Sequence, residues 1–120
     1  MLWPPQIEDV KAEQGIPRTD TRDDAALQVS LDAAVAYVED QRGGDFNFAH
    51  ATTGDIALKP APPPNILLGT LRLAIRLRSR AKSPEALVDL GDFGSARIPG
   101  TDPDIDRLLG LGRFRAPMVL

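Results

Sequence analysis

The chain contains no cysteine and a single histidine. Without thiols there is no disulfide, no thiolate nucleophile and no cysteine-ligated zinc, and cysteine usage leaves the compartment open. Positive charge is not in excess either: 14 Lys and Arg face 17 Asp and Glu, for a net charge of -3 and a pI near 5.0. Dedicated nucleic-acid binders are usually basic, because phosphate neutralisation supplies most of their affinity, so strong DNA binding is disfavoured. Long apolar runs are missing. The greasiest segment, Ile66–Leu77, is interrupted by Arg72 and Arg76 and is too short to span a bilayer. Met1-Leu2-Trp3-Pro4-Pro5 has neither a basic region nor a long apolar stretch, so it does not read as a signal peptide. No Walker-type loop, zinc spacing, internal repeat or low-complexity tract occurs, and no cofactor is expected.

What remains is 120 residues of ordinary globular composition, one domain by length with room for one small core. Pro4 and Pro5 keep the lead-in extended. Ile7–Gln14 reads as a short helix stopped by Gly15 and Pro17. A longer helix capped by Asp20 or Thr21 runs to about Gln41, burying Leu27, Leu31, Ala34, Val35 and Val38 and presenting Gln28, Asp32, Glu39 and Asp40 on the opposite face. Arg42-Gly43-Gly44 ends it. Asp45–Pro64 is a long connection. Phe46 and Phe48 alternate with polar residues and Asp55–Lys59 reads as a second short strand, so a minor β-hairpin is the expectation there.

Asn65 to about Arg80 gives the strongest helix, apolar around most of its circumference except for a stripe of Arg72, Arg76 and Arg80. Two other helices can hardly cover such a surface, which points to covering by a second subunit. The division expected is a helical bundle over residues 1–82 and, over residues 83–120, an extended arm, a short helix and a C-terminal tail. The arm carries Gly91-Asp-Phe-Gly94. The short helix enters through Asp102-Pro103 and has one sticky edge of Ile105, Leu108 and Leu109. The fold class is therefore all-α: a small bundle with a long inter-helix loop and an arm.

Catalytic chemistry is thin. Asp102, Asp104 and Asp106 imitate the start of an EF-hand loop, but Arg107 and Arg113 stand where Gly and Glu are required, so the acids read as helix capping. His50 has Asp45 and Asp55 in its loop, but no nucleophile motif flanks Ser30, Ser79, Ser83 or Ser95. The letters Asp-Phe-Gly come without any other kinase element. The chain does not read as an enzyme. The arginine stripe stands open to three readings: a solvated face, phosphate contacts, or pairing with Asp32, Glu39 or Asp40 of a neighbouring copy, as a head-to-tail ring would place them. Phe114, Met118, Val119 and Leu120 are apolar for a terminus, as in a peptide that docks on a partner.

Three segments carry a resemblance. They are Ala33-Ala-Val-Ala-Tyr37-Val-Glu-Asp-Gln-Arg-Gly43, then Ile66-Leu-Leu-Gly-Thr-Leu-Arg-Leu-Ala-Ile-Arg-Leu77. The most distinctive joins Ser83-Pro84-Glu85 and Gly91-Asp-Phe-Gly94 to Asp102-Pro-Asp-Ile-Asp-Arg-Leu-Leu-Gly110. In order and spacing the chain resembles the head-to-tail adaptor, or connector, proteins of long-tailed bacteriophages. The resemblance implies a virion protein of the neck, present in the host cytoplasm during assembly. It implies a ring of about twelve copies below the portal. Its arm and tail would grip the portal through Phe93, Ile105, Leu108, Leu109, Phe114, Met118, Val119 and Leu120. Its other end would receive a neck or tail-completion protein, and DNA would pass through without specific binding. The acidic total suits such a channel. No membrane is involved. The alternative from another class is a small helical regulatory or toxin-antitoxin-like binding module.

Overall fold

The computed structural model describes residues 2–82, 87–89, 95–97 and 103–111. These form α1 (Ile7–Gln14), α2 (Asp24–Arg42), a 3-10 turn (Asp55–Leu58), α3 (Pro64–Lys82), β1 (Leu87–Asp89), β2 (Ser95–Arg97) and α4 (Pro103–Leu109). The architecture is all-α, a small bundle with one short antiparallel ribbon in which Leu87, Val88 and Asp89 face Arg97, Ala96 and Ser95.

Local chemistry sets the helix ends. The Gln6 amide donates to the Asp9 carboxylate at 2.8 Å, holding the first turn of α1. Gly15 takes φ 71°, which lets the Ile16 amide reach back to the Lys11 carbonyl at 2.8 Å. The long helix begins later than the sequence suggests. Asp20 turns its carboxylate on Arg22 instead of capping, accepting from the Arg22 backbone at 3.3 Å and from its guanidinium at 3.0 and 2.9 Å. The chain therefore makes one more turn, and the Leu27 amide bonds the Asp23 carbonyl at 2.9 Å as the helix opens. Further along, the buried face of α2 is the expected one: Leu27, Leu31, Ala34 and Val38 are buried and Val35 is half-buried.

The hairpin expected between α2 and α3 does not form. Asp55–Leu58 coils into a 3-10 turn instead of extending. The reason lies in Asn47, which is buried and organises the loop. Its amide donates to the Pro60 carbonyl at 2.8 Å. Its side chain donates to the Ala51 carbonyl at 2.9 Å and accepts from the Ala51 amide at 3.1 Å. With the loop tied across itself, no second strand lies beside Phe46–Phe48. The two phenyl rings pack on one another, 6.0 Å apart and edge-on, and both lean on the core. The alternation seen in the sequence is real, but its cause is packing of both rings against the cluster that holds Trp3 and not a sheet.

Two apolar clusters make the core. One joins Val10 of α1 to Leu27, Leu31 and Ala34 of α2 and Leu71 and Ala74 of α3. The other joins Trp3, Val38, Ile66 and Leu67 to Ile105 and Leu109 of α4 and to Leu111. Val35 and Leu73 touch both. Helix α3 thus finds cover within its own chain, from α1, α2 and α4. Helix α4 supplies a third wall, while Leu68, Leu73, Ile75 and Leu77 stay half-buried. The bundle accordingly extends past residue 82, because residues 103–111 share its core.

Candidate functional site

Helix α4 is too short to hold itself together in water, so its position depends on what it touches. Ile105 and Leu109 are 5% and 0% exposed. Burial of two such side chains contributes roughly 4 kcal/mol. Close approach is permitted by Gly69 of α3: a Cβ there would lie 2.7 Å from Leu109 Cδ2 and 3.1 Å from Leu108 Cβ.

The carbonyls at the end of α4 have partners from other elements. Asn65 Nδ2 donates to Leu108 O at 2.9 Å. Arg42 Nη1 donates to Leu109 O at 2.6 Å and to Gly110 O at 3.2 Å, while its Nε meets Asp45 Oδ2 at 2.7 Å. The same guanidinium lies 5.0 Å from the centre of the Phe46 ring. Arg42 places a cation at the negative end of α4 as well as at the end of its own helix. The sequence shows Arg42 only as the latter, because a side-chain cap contributed from 67 residues away leaves no local signal.

A second junction lies beside it, around Trp3, in the same apolar cluster as Ile105 and Leu109. Trp3 is 5% exposed, its ring 4.7 Å from that of Phe48, and its Nε1 donates to Glu39 Oε1 at 2.9 Å. His50, at φ 54°, donates from Nε2 to Trp3 O at 2.8 Å, which places the proton on Nε2. The only histidine is therefore spent on the lead-in and not on an acid or a hydroxyl. A shallow cavity of about 260 Å³ lies alongside, lined by Glu39, Gly43, Phe48, Ala49 and Ile56. Among the described residues no three His, Asp or Glu come close enough to hold a metal, and no helix is long and apolar enough to cross a membrane.

The residues singled out from the sequence scatter. Ile105 and Leu109, expected to grip a partner, are buried in this chain's own core, and that expectation is corrected by their packing on Gly69, Ile66 and Leu67. Leu108 is half-buried. Phe93, Phe114, Met118, Val119 and Leu120 lie outside the described residues. Of the basic stripe, Arg72 meets Glu13 of α1 at 3.6 Å, and Arg76 and Arg80 are half-buried with partners of their own. Arg78, unremarked in the sequence, reaches Asp23 at 3.5 Å. Among the acids, Asp32 accepts from Gln28 at 2.8 Å, Glu39 is taken by Trp3, and Asp40 is exposed beside Gln41. The structure does not bring the arginine stripe and these acids together within one chain.

The sequence also misses the outer face of α2. Val29 and Tyr37 are 69% and 47% exposed, and Ala25, Ala33 and Ala36 between them are exposed too. Comparison with known proteins gives no match: no family model, curated protein or solved structure matches this chain.

Proposed function

We propose that this chain is a structural virion protein, a ring-forming adaptor set between the portal and the tail or neck, completing the head and extending the DNA channel. The observation that carries the reading is the order of three segments. A long helix with an alanine-rich end, a proline-led apolar helix and an Asp-Pro-entered short helix follow one another as α2, α3 and α4. The connection before α4 holds Gly91-Asp-Phe-Gly94. In this reading the portal is gripped by Phe93, Phe114, Met118, Val119 and Leu120, with Leu108 at the margin. Copy-to-copy contact sets the basic stripe of Arg72, Arg76 and Arg80 against the acids Asp32, Glu39 and Asp40 of a neighbour, in exchange for partners in their own chains. DNA passes without specific binding, as the acidic total favours.

The test is deletion of residues 113–120, which follow the last described residue of the core. The truncated protein is expected to keep its helical circular dichroism and melting temperature but to lose binding to portal assemblies. Portal binding at the full-length level would remove the assignment.

A further inference from the structure

The lead-in and α4 meet in one place. Trp3 and Pro5 are buried, and Trp3 shares a single cluster with Ile105, Leu109 and Leu111. A second route joins the same two parts. Trp3 lies against Phe48, and Phe48 against Phe46. Arg42 lies over Phe46 and bonds the carbonyls of Leu109 and Gly110. Removing Trp3 therefore takes apolar contact from the cluster that holds α4 and loosens the rings that seat its capping guanidinium.

Of the two parts, the lead-in is the more easily lifted. Pro4 and Pro5 have no backbone N–H, so no ladder can hold it. Leu2 and Pro4 are exposed. The main anchor is one side chain, Trp3, with its Nε1 on Glu39 and its carbonyl on His50, and both of those partners are themselves exposed. Helix α4 is the part that needs holding, because seven residues do not stay helical alone. The remainder depends on Trp3 less directly: Val10, Leu27, Leu31, Leu71 and Ala74 pack in the other cluster.

We infer that the lead-in is a latch on α4: when Trp3 leaves its slot, α4 opens with it while the cluster of α1, α2 and α3 stays packed. The open form is a minor state of the folded chain, too sparse for a melting curve to resolve. Ile105 and Leu109 are core in the closed form and surface in the open one. Whatever binds the freed lead-in shifts the chain toward the open form, since it binds that form alone. The latch is a property of the single chain and stands independently of the adaptor reading.

Native-state hydrogen exchange of the full chain tests it. Exchange through a local opening speeds up only when a variant removes contacts that the opening itself breaks. The Gly110 amide, on the Arg107 carbonyl, and the Leu111 amide, on the Asp106 carbonyl, report on α4, and those of Leu31 and Ala34 report on α2. Trp3→Phe is expected to speed exchange at Gly110 and Leu111 about tenfold, because the smaller ring loses packing and the bond to Glu39. Glu39→Ala, at an exposed helical position, removes that bond alone and should speed it about fivefold. Val10→Ala, in the other cluster, should speed Leu31 and Ala34 and leave Gly110 and Leu111 unchanged. Circular dichroism verifies that each variant is folded. Gly110 and Leu111 amides indifferent to Trp3→Phe or to Glu39→Ala, or responding to Val10→Ala as strongly as Leu31 does, would each overturn the latch.

Discussion

Arg42 does four things with one guanidinium: it pairs with Asp45, caps Leu109 and Gly110, and lies against Phe46. The side chain is 16% exposed, so these bonds are sheltered from water and salt. Replacing it with Met keeps the stem and removes every polar contact, leaving the carbonyls at the end of α4 without that donor. Arg42→Met is expected to cost about 2–3 kcal/mol, a fall of roughly 10 °C in melting temperature for a chain of this size. Calorimetry would check it. Asp20 behaves differently. Its hydrogen bonds from Arg22 pull its carboxyl from 3.8 down to about 2. A group held below its ordinary value binds fewer protons folded than unfolded. Its contribution is therefore complete above about pH 4 and fades as the pH falls toward 2. Because the pair lies in water, the contribution is small. A carbon-13 titration should place the Asp20 midpoint near 2, and Arg22→Ala should return it toward 3.8.

At the scale of the element, the decisive contact is that of α4 on α3. Gly69→Ala would gain about 1 kcal/mol of helix propensity. Its new methyl would collide with Leu109, which is fully buried and has nowhere to go. Overpacking of this kind costs about 1–3 kcal/mol, so the net effect is expected to be destabilising and confined to α4. Hydrogen exchange should speed up at Ile105–Leu109 while α1 and α2 stay protected. The helices themselves were legible in the sequence. Ile7–Gln14 follows from Gly15 and Pro17, and the core face of α2 from the spacing of Leu27, Leu31, Ala34 and Val38. Their partners were not. Ile105, Leu108 and Leu109 announce an apolar edge, but a periodic pattern does not say whether that edge faces its own bundle or another molecule. Asn47 misled for a related reason: a side chain that closes a loop on itself looks, in sequence, like any other polar residue between two aromatic ones. Val29 and Tyr37 leave no clear signal, because the stripe of Leu27, Leu31, Ala34 and Val38 already accounts for the buried face of α2.

For the whole molecule, the sharing of Val35 and Leu73 between the two clusters matters more than the size of either. Neither cluster can lose its packing without exposing residues that the other needs. Thermal unfolding of the full chain is expected to be a single transition, with van't Hoff and calorimetric enthalpies equal. Two resolved transitions would mean that α4 and its neighbours melt apart from α1. The same coupling explains why a boundary after residue 82 fails: the last described residue, Leu111, is as much a part of the core as Trp3.

Trp3 is the only indole in the chain, and it is wedged against Phe48 with its nitrogen on Glu39. Nature has thus installed a single indole fluorophore where the lead-in, the end of α2 and the inter-helix loop converge. Its emission colour and polarisation report on that junction with no label attached, so any partner that pries the first residues away will announce itself as a red shift.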